Sequence, residues 1–206
     1  MRFYHLLAGL LLSSSIMKPT NGASATTLFD FTDRSASVAN WTEISDVVRE
    51  VGKSKAVLSL QSTHVFQRAV FFSLLNPQLN GAGFAGVRVP VEWDLSGYKE
   101  FRIKCRGQGQ NYHYKIVLRH NHRSADDDVE YEQLFDAPKT FDHVRLPLTE
   151  FKPYFRGREN NTAQPLDLAH VTMFGFQIYG GVYSPFKQQG VSALEIDTIE
   201  ATRASE

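Results

Sequence analysis

With 206 residues the chain can bury one sizeable core, and its 22 basic and 22 acidic residues leave a formal net charge of zero. A neutral chain has no bulk field to draw nucleic acid or an acidic membrane surface, so neither is an expected partner. The single cysteine, Cys105, excludes an intramolecular disulfide, while fifteen Phe and eight Tyr suit a β-rich interior.

In chain order, the first element is a processing segment. Arg2 and His5 precede the apolar run Leu6 to Leu12, and small polar residues lead to Ala23-Ser24-Ala25. That is the layout of a secretory signal peptide, with cleavage after Ala25, and the apolar run is too short to span a bilayer. No stable membrane insertion is expected. The acid-free, serine-rich segment also has features of a mitochondrial presequence. Its compact apolar block and only two basic residues, Arg2 and Lys18, favour export. Residues 1–25 are therefore read as a signal peptide and 26–206 as one domain of net charge −2. Secretion or the secretory lumen is the expected address, with the mitochondrion as the alternative. Asn40-Trp41-Thr42 and Asn160-Asn161-Thr162 are glycosylation sequons, which makes Asn40 and Asn160 candidate glycan sites in an exported chain.

Strands are predicted over 28–31, 56–61, 69–75, 86–91, 100–106, 112–119, 130–135, 143–147, 172–179 and 193–201. Turn residues such as Asn76-Pro77, Asp94 to Gly97, Ala137-Pro138 and Gly180-Gly181 separate them. Many short strands at this spacing point to an all-β antiparallel sandwich or jelly roll. Ile44, Val47, Val48 and Val51 have helical spacing and suggest one short helix, and 148–154 another turn.

Several motifs dissolve on inspection. Gly52-Lys53-Ser54 resembles the end of a phosphate loop, but Val47 stands where the first glycine is needed. Gly81 to Gly86 matches G-x-G-x-x-G, yet Val87-Arg88-Val89-Pro90-Val91 follows, which is strand chemistry and not a helix N-terminus. His120-Asn121-His122 with Asp126-Asp127-Asp128 has metal-ligand residue types, but reads better as a polar loop, so no metal is expected. No H-E-x-x-H or G-x-S-x-G occurs, and no catalytic residue or cofactor is assigned.

The stretch from Asp94 to Arg119 alternates most cleanly. Phe101, Ile103 and Cys105 share one face with Arg102, Lys104 and Arg106 on the other; Tyr112, Tyr114, Ile116 and Leu118 then oppose His113, Lys115 and Arg119. The Gly107-Gln108-Gly109-Gln110 link predicts an antiparallel hairpin. Placing Cys105 opposite Tyr112 would set Lys104 against His113 and Arg102 against Lys115. Like charges so placed need an offset, either Glu130 and Glu132 of the following strand or an anionic ligand.

These segments resemble the complex I intermediate-associated protein 30 family from about Trp41 to Ala201. The carriers, in order, are Trp41-x-x-Ile44-Ser45-Asp46, Gly83-Phe84-Ala85-x-Val87-Arg88, Asp94-Leu95-Ser96-Gly97-Tyr98 and Arg106-Gly107-x-Gly109-x-x-Tyr112. Tyr131-x-x-x-Phe135, Val144-x-Leu146-Pro147-x-x-x-Phe151, Arg156-Gly157 and Glu195-Ile196-Asp197-x-Ile199-x-Ala201 follow. The resemblance implies a galactose-binding-domain-like sandwich and, for the family's named members, non-enzymatic assistance to respiratory complex I assembly. Three features depart from the pattern: Val51-Gly52 where the family has a glycine pair, Phe141 where it has tryptophan, and an insertion from about Tyr183 to Val191. The expected function is a non-enzymatic binding module for a carbohydrate or a protein partner. The alternative is a mitochondrial chaperone-like factor for complex I assembly that binds unfolded or partly assembled protein. Arg88, Arg106, Tyr131 and Arg156 are the candidate ligand-binding residues: three arginines at motif positions and one ring with a hydroxyl.

Overall fold

Among the residues that the computed structural model describes, 24–48, 50–79, 83–123 and 129–203, thirteen strands form two antiparallel sheets. They are β1 (Ala25–Asp30), β2 (Thr42–Glu43), β3 (Lys55–Ser62), β4 (Gln67–Leu75), β5 (Phe84–Trp93), β6 (Glu100–Gly109) and β7 (His113–His120). The remainder are β8 (Glu130–Asp136), β9 (Asp142–Pro147), β10 (Lys152–Phe155), β11 (Arg158–Glu159), β12 (Val171–Tyr179) and β13 (Gly190–Thr202). The first sheet has the order β3-β4-β13-β6-β9, with β1 also on β13; the second runs β11-β10-β8-β7-β12-β5-β2. The predicted sandwich is thus the fold. The segment read as a signal peptide falls outside the described residues except for Ser24 and Ala25, as do Asp126 to Asp128 and the first two residues of the glycine motif, 81–82.

The inner faces follow from alternation. Phe101, Ile103 and Cys105 of β6 face Tyr114, Ile116 and Leu118 of β7 across the interior, all with no measurable exposure. Burial pushes the Cys105 thiol up to about 12. Aromatic rings knit the layers: Trp41 meets Phe29 at 5.4 Å and stacks on Phe176 at 6.1 Å, and Phe101 meets Phe174 edge-on at 5.8 Å. Two bulges reset the parity of long strands. In β13 the buried set passes from Leu194 and Ile196 to Ile199 and Ala201, with the register shift between Ile196 and Thr198. In β12 it passes from Val171 to Phe174, Phe176 and Ile178, with the shift between Val171 and Met173.

The predicted hairpin does not form. β6 pairs β13 and β9 in the first sheet, while β7 pairs β8 and β12 in the second, so the link crosses between layers. Alternation reports which face is apolar, not which strand lies alongside. β6 continues through Gly107 to Gly109, opposite Leu194 and Ser192. The crossing is held by Asn111, whose Nδ2 donates to the Gln189 carbonyl (2.8 Å) and Ser192 Oγ (2.7 Å). Tyr112 sits on this crossing and is 49% exposed, contrary to its expected burial.

The like-charge pairing exists elsewhere. Arg102 lies opposite Arg145, and Lys104 opposite His143, on β9. Their offsets come from β13: Glu200 takes Arg102 Nε and Nη2 at 2.9 and 2.8 Å, and Asp197 lies 3.3 Å from Lys104. Glu132 and Glu130 of β8 do serve Lys115 and Arg119 of β7.

The expected helix shrinks to one 3-10 turn, Asp46–Val48, with Val47, Val48 and Val51 exposed. The buried Asp46 carboxylate accepts Ser54 N–H (2.8 Å), Ser54 O–H (2.7 Å) and Phe84 N–H (3.3 Å). The chain wraps this side chain, and that need replaces helical periodicity. The segment 148–154 likewise holds a single turn, Leu148–Glu150, before β10.

Candidate binding site

The second sheet turns one face to the core, and its other face is far more buried than a solvent face should be. Residues paired across antiparallel strands point the same way. Gly175 of β12 lies opposite Arg88 of β5 and Val117 of β7, and Val117 lies opposite Glu132 of β8. One row along, Gln177 lies opposite Lys115; on the other side, Met173 lies opposite Arg119. Val117, Lys115, Arg119, Glu132 and Gln177 are all buried on this outer face.

Two elements close over part of it. The β10–β11 hairpin meets the 180–189 segment, where the Arg158 guanidinium lies 4.9 Å over the Tyr183 ring. Phe186 stacks on His113 at 3.8 Å. The segment is locked by Gln188, whose Oε1 accepts the Tyr112 and His113 N–H groups and whose Nε2 donates to the His113 and Tyr179 carbonyls. The insertion noted in the sequence is therefore a wall of this face.

Charge on the face is partly matched. Lys115 Nζ donates to Glu132 at 2.5 Å, and Arg119 Nη2 to Glu130 at 3.1 Å. Burial raises the Glu132 carboxyl to about 7, against the pull of Lys115 and with the push of Glu130. Burial, with the Asp136 and Glu132 charges, also raises the Tyr179 phenol; burial and Glu132 do the same for Tyr154. Ile44, Arg88, Arg119, Glu130, Met173 and Gln177 line a depression that Gly175 also borders. A Cβ on Gly175 would come within 2.8 Å of the Val87 carbonyl oxygen, so glycine is required by the close approach of β5.

The four residues singled out from sequence do not converge. Arg88 is half-buried on this face, and its guanidinium has no hydrogen bond or ion pair with the described residues. Arg106 lies on the outer face of the other sheet, where Glu195 takes its Nε at 2.9 Å and Nη2 at 2.8 Å and Phe141 lies 4.8 Å beneath it. Arg68 lies between Phe66 (4.1 Å) and Phe141 (4.3 Å) and shares Glu195. Phe141 thus supplies the flat ring that tryptophan would supply. Tyr131 is 1% exposed and points inward, donating to the Gln164 carbonyl at 2.7 Å, so its ring is not offered to a ligand. Arg156 is exposed on the β10–β11 turn with φ of 51°, its guanidinium 5.1 Å over Phe155. Arg119 and Gln177 were not singled out. The available signals were the polar face of β7 and Gly175 inside an otherwise apolar strand.

His120 and His122 part company. Buried His120 accepts the Asp167 N–H at 2.7 Å, while His122 reaches Glu92 at 3.2 Å. Asn40 is exposed before β2, and Asn160 follows β11, so the two sequons flank opposite edges of the second sheet.

The sequence profile of complex I intermediate-associated protein 30 matches residues 29–196. The chain belongs to that family. It is 25% identical over 178 residues to an uncharacterized protein of Schizosaccharomyces pombe, covering 79% of this chain and 80% of the other. Among solved structures it is similar to the family 11 carbohydrate-binding module from Clostridium thermocellum in complex with a β-1,3-1,4-mixed-linked tetrasaccharide. The TM-score is 0.64 at 14% identity, over 90% of this chain and 99% of that one. The family 11 module of the cellulosomal cellulase Lic26A-Cel5E of the same organism gives 0.63 at 14% identity, over 90% and 98%. These likenesses establish the sandwich fold. No helix among the described residues is long and apolar enough to cross a membrane.

Proposed function

We propose that this family member is a non-enzymatic binding module that holds a carbohydrate against the outer face of the second sheet. The observation that carries the reading is the burial of Lys115, Arg119, Glu132 and Gln177 on a sheet face that would otherwise be solvated. Buried polar groups with spare hydrogen-bonding capacity, beside a depression, are what sugar hydroxyls require. The fold supports the reading, since the similar Clostridium module holds a tetrasaccharide. Export remains part of the proposal, resting on the leader and the two sequons. The test is a glycan array followed by calorimetric titration. Gln177→Ala is expected to weaken a glycan hit by about tenfold, one lost buried hydrogen bond, with thermal stability nearly unchanged. Absence of any glycan hit overturns the carbohydrate reading.

A protein partner of the kind the family assists is the second reading, favoured by one observation. On the outer face of the first sheet, Val57, Phe72, Leu74 and Val191 form an exposed apolar stripe, with Val57 opposite Phe72 and Leu74 opposite Val191. Loss of a protein partner on Phe72→Glu, with Gln177→Ala silent, would favour it.

A further inference from the structure

We propose that the ligand of the second sheet's outer face is acidic: a glycan carrying a carboxylate, as a uronic acid does. This rests on the carbohydrate reading and adds the charge of the sugar. Arg119 is 8% exposed and gives Nη2 to Glu130; its Nε and Nη1 are buried and make no hydrogen bond with the described residues. Buried donors left unmade on a charged group are unfavourable, so the site is arranged for an acceptor. Arg88 lines the same depression, and no described residue pairs with its guanidinium.

Five other cations of the two sheets have acid partners. Lys115 has Glu132, Arg102 has Glu200, Arg68 and Arg106 share Glu195, and Lys104 has Asp197. In the depression a single acid, Glu130, faces two guanidiniums. The surplus is one positive charge, which one carboxylate neutralises, and its two oxygens fit the planar fork of arginine. The lining residues include no exposed aromatic ring, since Phe176 is fully buried. A neutral sugar would find no platform to stack on there, whereas a uronate would find two guanidiniums.

The experiment titrates the purified full-length protein with oligogalacturonate and oligoglucuronate, a neutral β-1,3-1,4-glucan oligosaccharide and polyglutamate, at low and high salt. Uronide binding is expected. It should fall about tenfold in Arg88→Gln, and again on raising salt, as a charge-assisted contact does. The melting temperature should hold, because Arg88 has no partner to lose. Glu130→Gln, which removes the competing acid, should tighten uronide binding. Binding of the neutral glucan at least as tightly as the uronides overturns the acidic inference and leaves the carbohydrate reading standing. Binding of polyglutamate alone, or of no glycan, overturns both.

Discussion

Glu195 shows how one side chain organises an outer face. Its carboxylate accepts Arg68 Nη1 at 2.6 Å, Gln108 Nε2 at 2.9 Å and Arg106 Nε at 2.9 Å. Burial works to raise its pKa, but the hydrogen bonds from Arg68, Gln108 and Arg106 win and hold it below the ordinary 4.5. A carboxyl depressed in the folded state stabilises the fold above its unfolded pKa, and that contribution fades as pH falls through the folded value. Glu195→Gln is therefore expected to cost about 2 kcal/mol at neutral pH, as loss of one member of a partly buried ionic cluster does. Denaturant midpoints measured against pH should show the gap from the parent closing below 4.5. A gap that stays constant down to acid would mean the charge of Glu195 is immaterial. The same geometry predicts that Arg106→Ala lowers stability and leaves ligand binding intact, because Arg106 already spends its fork on Glu195.

At the scale of elements, the insertion is the part of the fold most dependent on a single residue. Gln188, 4% exposed, makes hydrogen bonds to backbone groups at the start of β7 and the end of β12. Gln188→Ala leaves those groups unpaired in a buried place, at a cost of about 3 kcal/mol. Faster amide exchange over residues 180–189, together with weakened ligand binding, is the expected readout; unaltered exchange would remove the wall from the site. Alternation in β6 and β7 was enough to place Phe101, Ile103, Cys105, Tyr114, Ile116 and Leu118 in the core. It carried no information about neighbours, which is why these strands could be read as a hairpin while lying in opposite layers. The register shifts near Asp197-Thr198 and Thr172-Met173 go unread, because a strand read by period two is one unbroken alternation. Arg119 was illegible for a different reason. A strand's polar face is expected to be wet, and the neighbours that surround Arg119, Glu130 of β8, Met173 and Gln177 of β12 and Arg88 of β5, come from strands whose pairing the sequence does not show.

At the scale of the whole molecule, the proposed ligand face and the sequons share one layer. Asn40 precedes β2 and Asn160 follows β11, the two edges of the second sheet. If the chain is exported, N-terminal sequencing should find Thr26 first and a glycosidase should shift its mobility. Delivery of an unglycosylated product to mitochondria would instead favour the family's assembly role. Cleavage after Ala25 removes the first residue of β1 but keeps its pairs from Thr26 with Ala201 to Asp30 with Thr198. The sandwich should therefore lose little by processing.

The position of β13 has a consequence for how the chain is made. This strand follows every other in sequence, yet it is the spine of the first sheet, paired with β4 and β1 along one edge and with β6 along the other. During synthesis β4 can pair β3 and β6 can pair β9, but nothing joins these pairs to one another or to β1 until β13 clears the ribosome. Closing such distant pairings is slow, and the open intermediate is prone to aggregate. A nascent chain halted before Gly190 should be protease-sensitive throughout, while one extended past Thr202 should become resistant in a single step. Early resistance of the stretch from β5 to β12 would show instead that the second sheet folds first and waits. In the first case only, late completion would leave a long interval in which the chain could still be threaded through a translocation pore, as the proposed export requires.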